Sequence, residues 1–187
     1  MIKREDSDIK IFNPNKESEN DSDMLSFVEG MNHHRQNGNV DKAKKLGEYL
    51  GNYAYSEDYK KLIKNPDLLH EDLYSQVCSL ILFSVEAALN YYLPSQQLST
   101  IAINSMHEVL NSKNSPIYAT LKVSPAFSFY YLSVRKGGSD IPGDIGEAFA
   151  MLCRHEGDKK FIEDGSKIYT DFLKIVEEEI RKIQFAN

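Results

Sequence analysis

The stretch from Glu71 to Leu93, EDLYSQVCSLILFSVEAALNYYL, leaves this chain few folds to choose from, because wound as a helix it is apolar over most of its circumference. At about 100° per residue, Ser75, Ser79, Glu86 and Asn90 share one narrow polar stripe, while Leu73, Val77, Leu80, Ile81, Val85, Ala87, Ala88 and Tyr91 cover the rest. A helix covered on one side only would leave those other apolar faces in water, so the stretch predicts a central helix enclosed by other helices. The fold expected is an all-α, single-domain bundle of about seven helices built from antiparallel helical hairpins. A bilayer span asks for roughly 18 or more nearly uninterrupted apolar residues. The longest clean run here is Leu80 to Phe83, so no membrane segment is expected.

Size and charge narrow the reading further. A chain of 187 residues can bury roughly 70% of its unfolded surface as one domain, enough for a core that needs neither disulfide nor metal. Its two cysteines, Cys78 and Cys153, sit inside apolar helical patterns, where a thiol packs as a small hydrophobe. So sparing a use of cysteine suits a reducing compartment. The first residues, MIKREDSD, show no apolar core of a signal peptide, and a cytoplasmic location is the expectation. A net charge of −6 and a pI near 5.4 weigh against nucleic acid, whose backbone calls for clustered Lys and Arg on one face.

Residues 1–21 carry Ile2, Ile9, Ile11 and Phe12 among Asp, Glu, Ser, Asn and Lys, and predict an arm, flexible or docked. The helical domain is expected over 22–187. Its first helix should start at the cap Ser22 or Asp23 and place Met24, Phe27, Val28 and Met31 at helical spacing before Asn37-Gly38-Asn39 ends it. Val40, Ala43, Leu46, Leu50 and Tyr53 mark a second helix. Asn65-Pro66-Asp67 supplies a cap, a first-turn proline and an acid for the central helix, which should run from near Pro66 to Leu93. After Pro94-Ser95, Leu98 to Leu110 mark an amphipathic helix that runs to about Ser112, and Ser115-Pro116 and Ser124-Pro125 start one kinked helix or two. The segment 126–134 is rich enough in aromatic and β-branched residues for a strand, but no second strand exists to satisfy its backbone, so helix is the better reading. After the loop 136–144 come a helix from near Asp144 to His155 and a last one over about 158–183, in which Gly165 marks a close helix crossing.

Phe27, Gly30 and Ala43 give the first helical pair a loose resemblance to a tetratricopeptide-type unit. An array of such units implies the pattern again ~34 residues on, where Lys61 to Asp72 carries none of it, so no repeat array is expected.

Chemistry-bearing motifs are scarce. His70-Glu71, His107-Glu108 and His155-Glu156 lack any metal-ligand spacing, since the residues four positions after the three histidines are Tyr74, Asn111 and Lys159. Glu29 with His33-His34 offers two ligands at best, where zinc takes three or four. No phosphate loop, nucleophile elbow or Cys-x-x-Cys is present, so no metal, no cofactor and no catalytic residue is expected. Glu86 stands out as a carboxylate on a helix otherwise suited to burial. With Asn90, Tyr91 and Tyr130 it makes the ligand-site hypothesis, set against the plainer reading that its stripe reaches solvent or bonds a neighbouring helix. The many tyrosines are expected to fill core volume with hydroxyls at the rim. The leading functional expectation is a non-enzymatic protein–protein interaction or scaffold module, able to self-associate. Its rivals are a small-ligand binder or enzyme with a cleft around Glu86, and an acidic regulatory or immunity-type partner of a basic protein.

Overall fold

The computed structural model describes residues 14–56, 58–121 and 125–186. Among them the chain forms eight α-helices and no strand: α1 Pro14–Gln36, α2 Asn39–Ser56, α3 Glu71–Tyr92, α4 Gln96–Ser112, α5 Pro116–Leu121, α6 Ala126–Lys136, α7 Ile141–Leu152 and α8 Lys159–Ile183. Short 3-10 turns occupy Asp58–Leu62 and Pro66–Leu69. This is the all-α multi-helix bundle that the central stretch dictated. The segment 126–134, ambiguous by composition, is helix.

The chain divides into two compact units, Met1–Asn37 and Gly38–Asn187. In the first, α1 starts at Pro14, inside the segment expected to be an arm; residues 1–13 of that arm lie outside the described residues. Proline suits a first helical turn, where its missing N–H costs nothing. Leu25, Phe27 and Val28 are 64%, 55% and 48% exposed, so Phe27 and Val28 are not buried as their spacing suggested, while Met31 is half-buried. The Asn37 amide closes it by donating to the His33 carbonyl.

The second unit is organised around α3, which packs against α4, α5, α6 and α8 and has no exposed residue from Val77 to Val85. By length and composition α3 could cross a membrane, and 61% of its most apolar window is buried inside the protein instead. It starts later than expected. Asn65 does cap, its side chain accepting from the Asp67 amide, but it caps the 3-10 turn at 66–69. His70 then turns extended (φ −70°, ψ 148°) before α3 begins at Glu71. The helix after the glycine loop starts earlier than expected, at Ile141, because Asp140 accepts from the Gly143 amide at 3.0 Å and Pro142 fits the first turn.

Two close crossings tie the remaining helices on. A Cβ added at Gly47 of α2 would lie 2.1 Å from the Ala102 carbonyl oxygen of α4. Between α7 and α8 the contact is reciprocal, Gly165 lying against the Phe149 ring and Gly146 against the Ile162 carbonyl, which accounts for Gly165 as its sequence context suggested. On α8, Arg181 pairs with Glu177 as its spacing predicts, whereas Lys182 reaches Glu179 at 2.6 Å and not Glu178. The chain end is held too, the buried Asn39 side chain clasping the Ala186 backbone through bonds of 2.7 and 2.9 Å.

Candidate functional site

The four residues singled out by sequence do not converge. Glu86 accepts from His107 of α4, with 2.8 Å between Oε1 and Nε2, and the imidazole meets the Tyr118 ring edge-on at 5.6 Å. One turn on, the Asn90 side-chain oxygen accepts from Ser99 at 2.8 Å and from Gln96 at 3.2 Å. Ser79 donates to the Ser75 carbonyl. The polar stripe of α3 is therefore partly a seam to α4, its hydrogen-bonding capacity taken up by the neighbouring helix. Tyr91 points outward at 79% exposure and meets Tyr92 edge-on at 4.9 Å. Tyr92 has its phenol raised above the usual value by burial and by Glu177. Tyr130 is fully buried, its ring 5.3 Å from Phe83, and burial with Cys153 nearby raises its phenol well above the ordinary range.

Of the three histidines in His-Glu pairs, His70 is exposed. His155 is exposed and stacks on Phe161 at 3.8 Å. His107 is the exception, half-buried as the partner of Glu86. Of the tyrosines, Tyr59 is buried and its hydroxyl meets those of Tyr74 and, at 3.9 Å, the Cys78 sulfur. Burial is the main reason its phenol is raised far beyond the usual range.

An open groove of about 500 Å³ lies elsewhere, between α6, α7 and the turn before α8. Sequence reasoning missed it. From α6 it takes Phe129, Leu132, Ser133 and Lys136, and from α7 Asp144, Glu147, Ala148 and Met151. Each set has the spacing i, i+3, i+4, i+7, one face of a helix. Both helices thus direct a complete stripe at the same space. Phe129, Leu132 and Met151 are 41%, 58% and 37% exposed. Glu156 and Gly157, from the turn before α8, and Ile162 of α8 complete its lining.

The other face of α6 explains how this arises. Ala126 and Tyr130 are buried, and Phe127 and Val134 pack on the core, so one apolar face is satisfied inward while Phe129 and Leu132 form a second. The signal available in the sequence was that α6 carries more apolar surface than one interface consumes.

The groove's one hydroxyl, Ser133, donates to the backbone carbonyls of Phe129 (3.2 Å) and Asp144 (3.5 Å), and among the described residues no histidine or carboxylate side chain hydrogen-bonds it. Among the described residues no group of three or more His, Cys, Asp or Glu could hold a metal ion. None of the ion pairs among the described residues involves Asp144, Glu147 or Glu156. No protein-family model, no curated protein and no solved structure matches the chain.

Proposed function

We propose that the chain is a non-enzymatic protein-interaction module whose working surface is the α6/α7 groove, and that the groove receives an amphipathic helix from a partner protein. The observation that carries this reading is the pair of matching stripes: two neighbouring helices each present i, i+3, i+4, i+7 residues to one open space. A third helix with its own i, i+3/i+4, i+7 anchors complements that shape. Exposed Phe129, Leu132 and Met151 supply the apolar floor, and rim charges keep it hydrated when empty. A catalytic cleft around Glu86 is disfavoured, since His107 already engages that carboxylate and neither Glu86, Asn90, Tyr91 nor Tyr130 lines the groove.

A display library of randomised amphipathic helices, selected against the protein and counter-selected against Leu132→Glu, tests the reading. Leu132 is exposed, so the variant should fold with an unchanged melting curve. Enrichment of apolar-striped helices that the variant no longer retains is the expected result. Selection giving no sequences, or sequences held equally by Leu132→Glu, would overturn it.

A further inference from the structure

Resting on the docking reading above, we infer that the groove's occupant is a basic helix, one carrying Lys or Arg beside its apolar stripe. The argument is charge complementarity. Around the apolar floor stand three carboxylates, Asp144, Glu147 and Glu156, and one cation, Lys136. Each of the three carboxylates stays outside every ion pair among the described residues, and on the groove's lining they outnumber the one cation.

Their placement gives the inference direction. Lys136 ends α6 and Asp144 lies in the first turn of α7, so the groove's one cation and the first of its carboxylates both stand beside the short link 137–140. Glu147 stands one turn further along α7, and Glu156 follows in the turn after α7. Glu147 and Glu156 therefore come after Asp144, further along the chain from the groove's one cation, and an occupant's cations are favoured in the half of its helix beside them. An acidic side chain is tolerated only near Lys136. From Asp144 to Met151 the stripe rises by ~10 Å, so an occupant needs about two helical turns in contact. A net charge of −6 on the whole chain draws a cationic partner from a distance and repels an anionic one.

Two stapled helical peptides with the same leucine stripe, one flanked by lysines and one by glutamates, test this by fluorescence anisotropy on the full chain. The lysine peptide should bind at least about tenfold more tightly at low salt, and its advantage should shrink as salt is raised. In the double variant Glu147→Lys/Glu156→Lys the preference should vanish or reverse, while Leu132→Glu should weaken both peptides. All three positions are exposed, and matching melting curves would confirm that the variants fold. Equal binding of both peptides, still lost in Leu132→Glu, would refute the basic occupant and leave the docking reading standing. If neither peptide binds and the display selection is also empty, the docking reading fails with it. Concentration-dependent dimerisation abolished by Leu132→Glu would make a second copy the occupant and overturn the inference.

Discussion

Glu86 on α3 and His107 on α4 face each other with 2.8 Å between carboxylate and imidazole, and remain 22% and 28% exposed. That exposure limits the desolvation cost of the pair and equally the Coulombic gain, so its main effect is to fix how α4 lies along α3. In urea titrations Glu86→Gln and His107→Gln should each cost about 0.5–1.5 kcal/mol, and the double variant less than their sum, since removing either partner already breaks the contact. Strict additivity would mean the two side chains do not meet in solution.

Gly146 tests the α7–α8 crossing. A Cβ there would lie 2.3 Å from the Ile162 carbonyl and 2.4 Å from the Ser166 hydroxyl oxygen, and backbone cannot yield as a flexible side chain can. Gly146→Val should destabilise the protein by ~2–3 kcal/mol or more, from overpacking between two helices that would have to part. Gly157→Asn makes the contrast: a Cβ there meets nothing within 4 Å and φ is +78°, a conformation Asn tolerates, so the change should stay near 1 kcal/mol or below. Equal losses in the two variants would remove the crossing as an explanation.

These cases show what the sequence carries and where it stops. Burial along α3 follows from its hydrophobic circumference, and Gly165 could be read as a crossing because a glycine mid-helix needs a reason. Glu86 could be recognised as needing a partner, but His107 could not be chosen, since the register between two helices is a property of packing and not of either period. Asn65 announced a cap correctly, yet whether the capped turn continues into α3 depended on the extended conformation of His70. The groove was least legible. Phe129 and Tyr130 are adjacent and both aromatic; one is 41% exposed and the other fully buried, and only the placement of α7 decides which.

Cys153 has its thiol pushed up to about 12 by burial, and Cys78 is buried too. At pH 8 neither should react with a thiol reagent except through opening of the fold, so labelling should run at least ~10³-fold slower than in urea-unfolded chain. The sign of the pH effect follows. A thiol whose value is raised on folding stabilises fully below its unfolded value, and that contribution is lost as pH rises toward 12. Cys153→Ala should therefore flatten the alkaline decline in stability. Rapid labelling of both thiols in the native protein would show that the α3 and α7 environments are open.

Tyr130 and Tyr59 are both fully buried, and opposite outcomes are expected from the same substitution. Among the described residues the Tyr130 hydroxyl has no hydrogen-bond partner, whereas that of Tyr59 meets the Tyr74 hydroxyl and the Cys78 sulfur. A buried hydroxyl left unpaired costs about 1–3 kcal/mol of lost hydration, and replacing it by hydrogen removes that cost while the ring keeps its packing on Phe83. Tyr130→Phe should raise stability by ~0.5–2 kcal/mol. Tyr59→Phe should lower it by about 1 kcal/mol, because it removes the hydroxyl that Tyr74 and Cys78 meet in the core. Alkaline pH should widen the first difference. The unfolded chain gains from ionising Tyr130 near its ordinary value while the folded chain holds the phenol neutral, so wild-type stability falls above pH ~10 and the Phe variant escapes that loss. Urea titrations of the three proteins at pH 7 and pH 10.5 decide it, and a Tyr130→Phe variant less stable than wild type at both values would mean that its hydroxyl is bonded in solution.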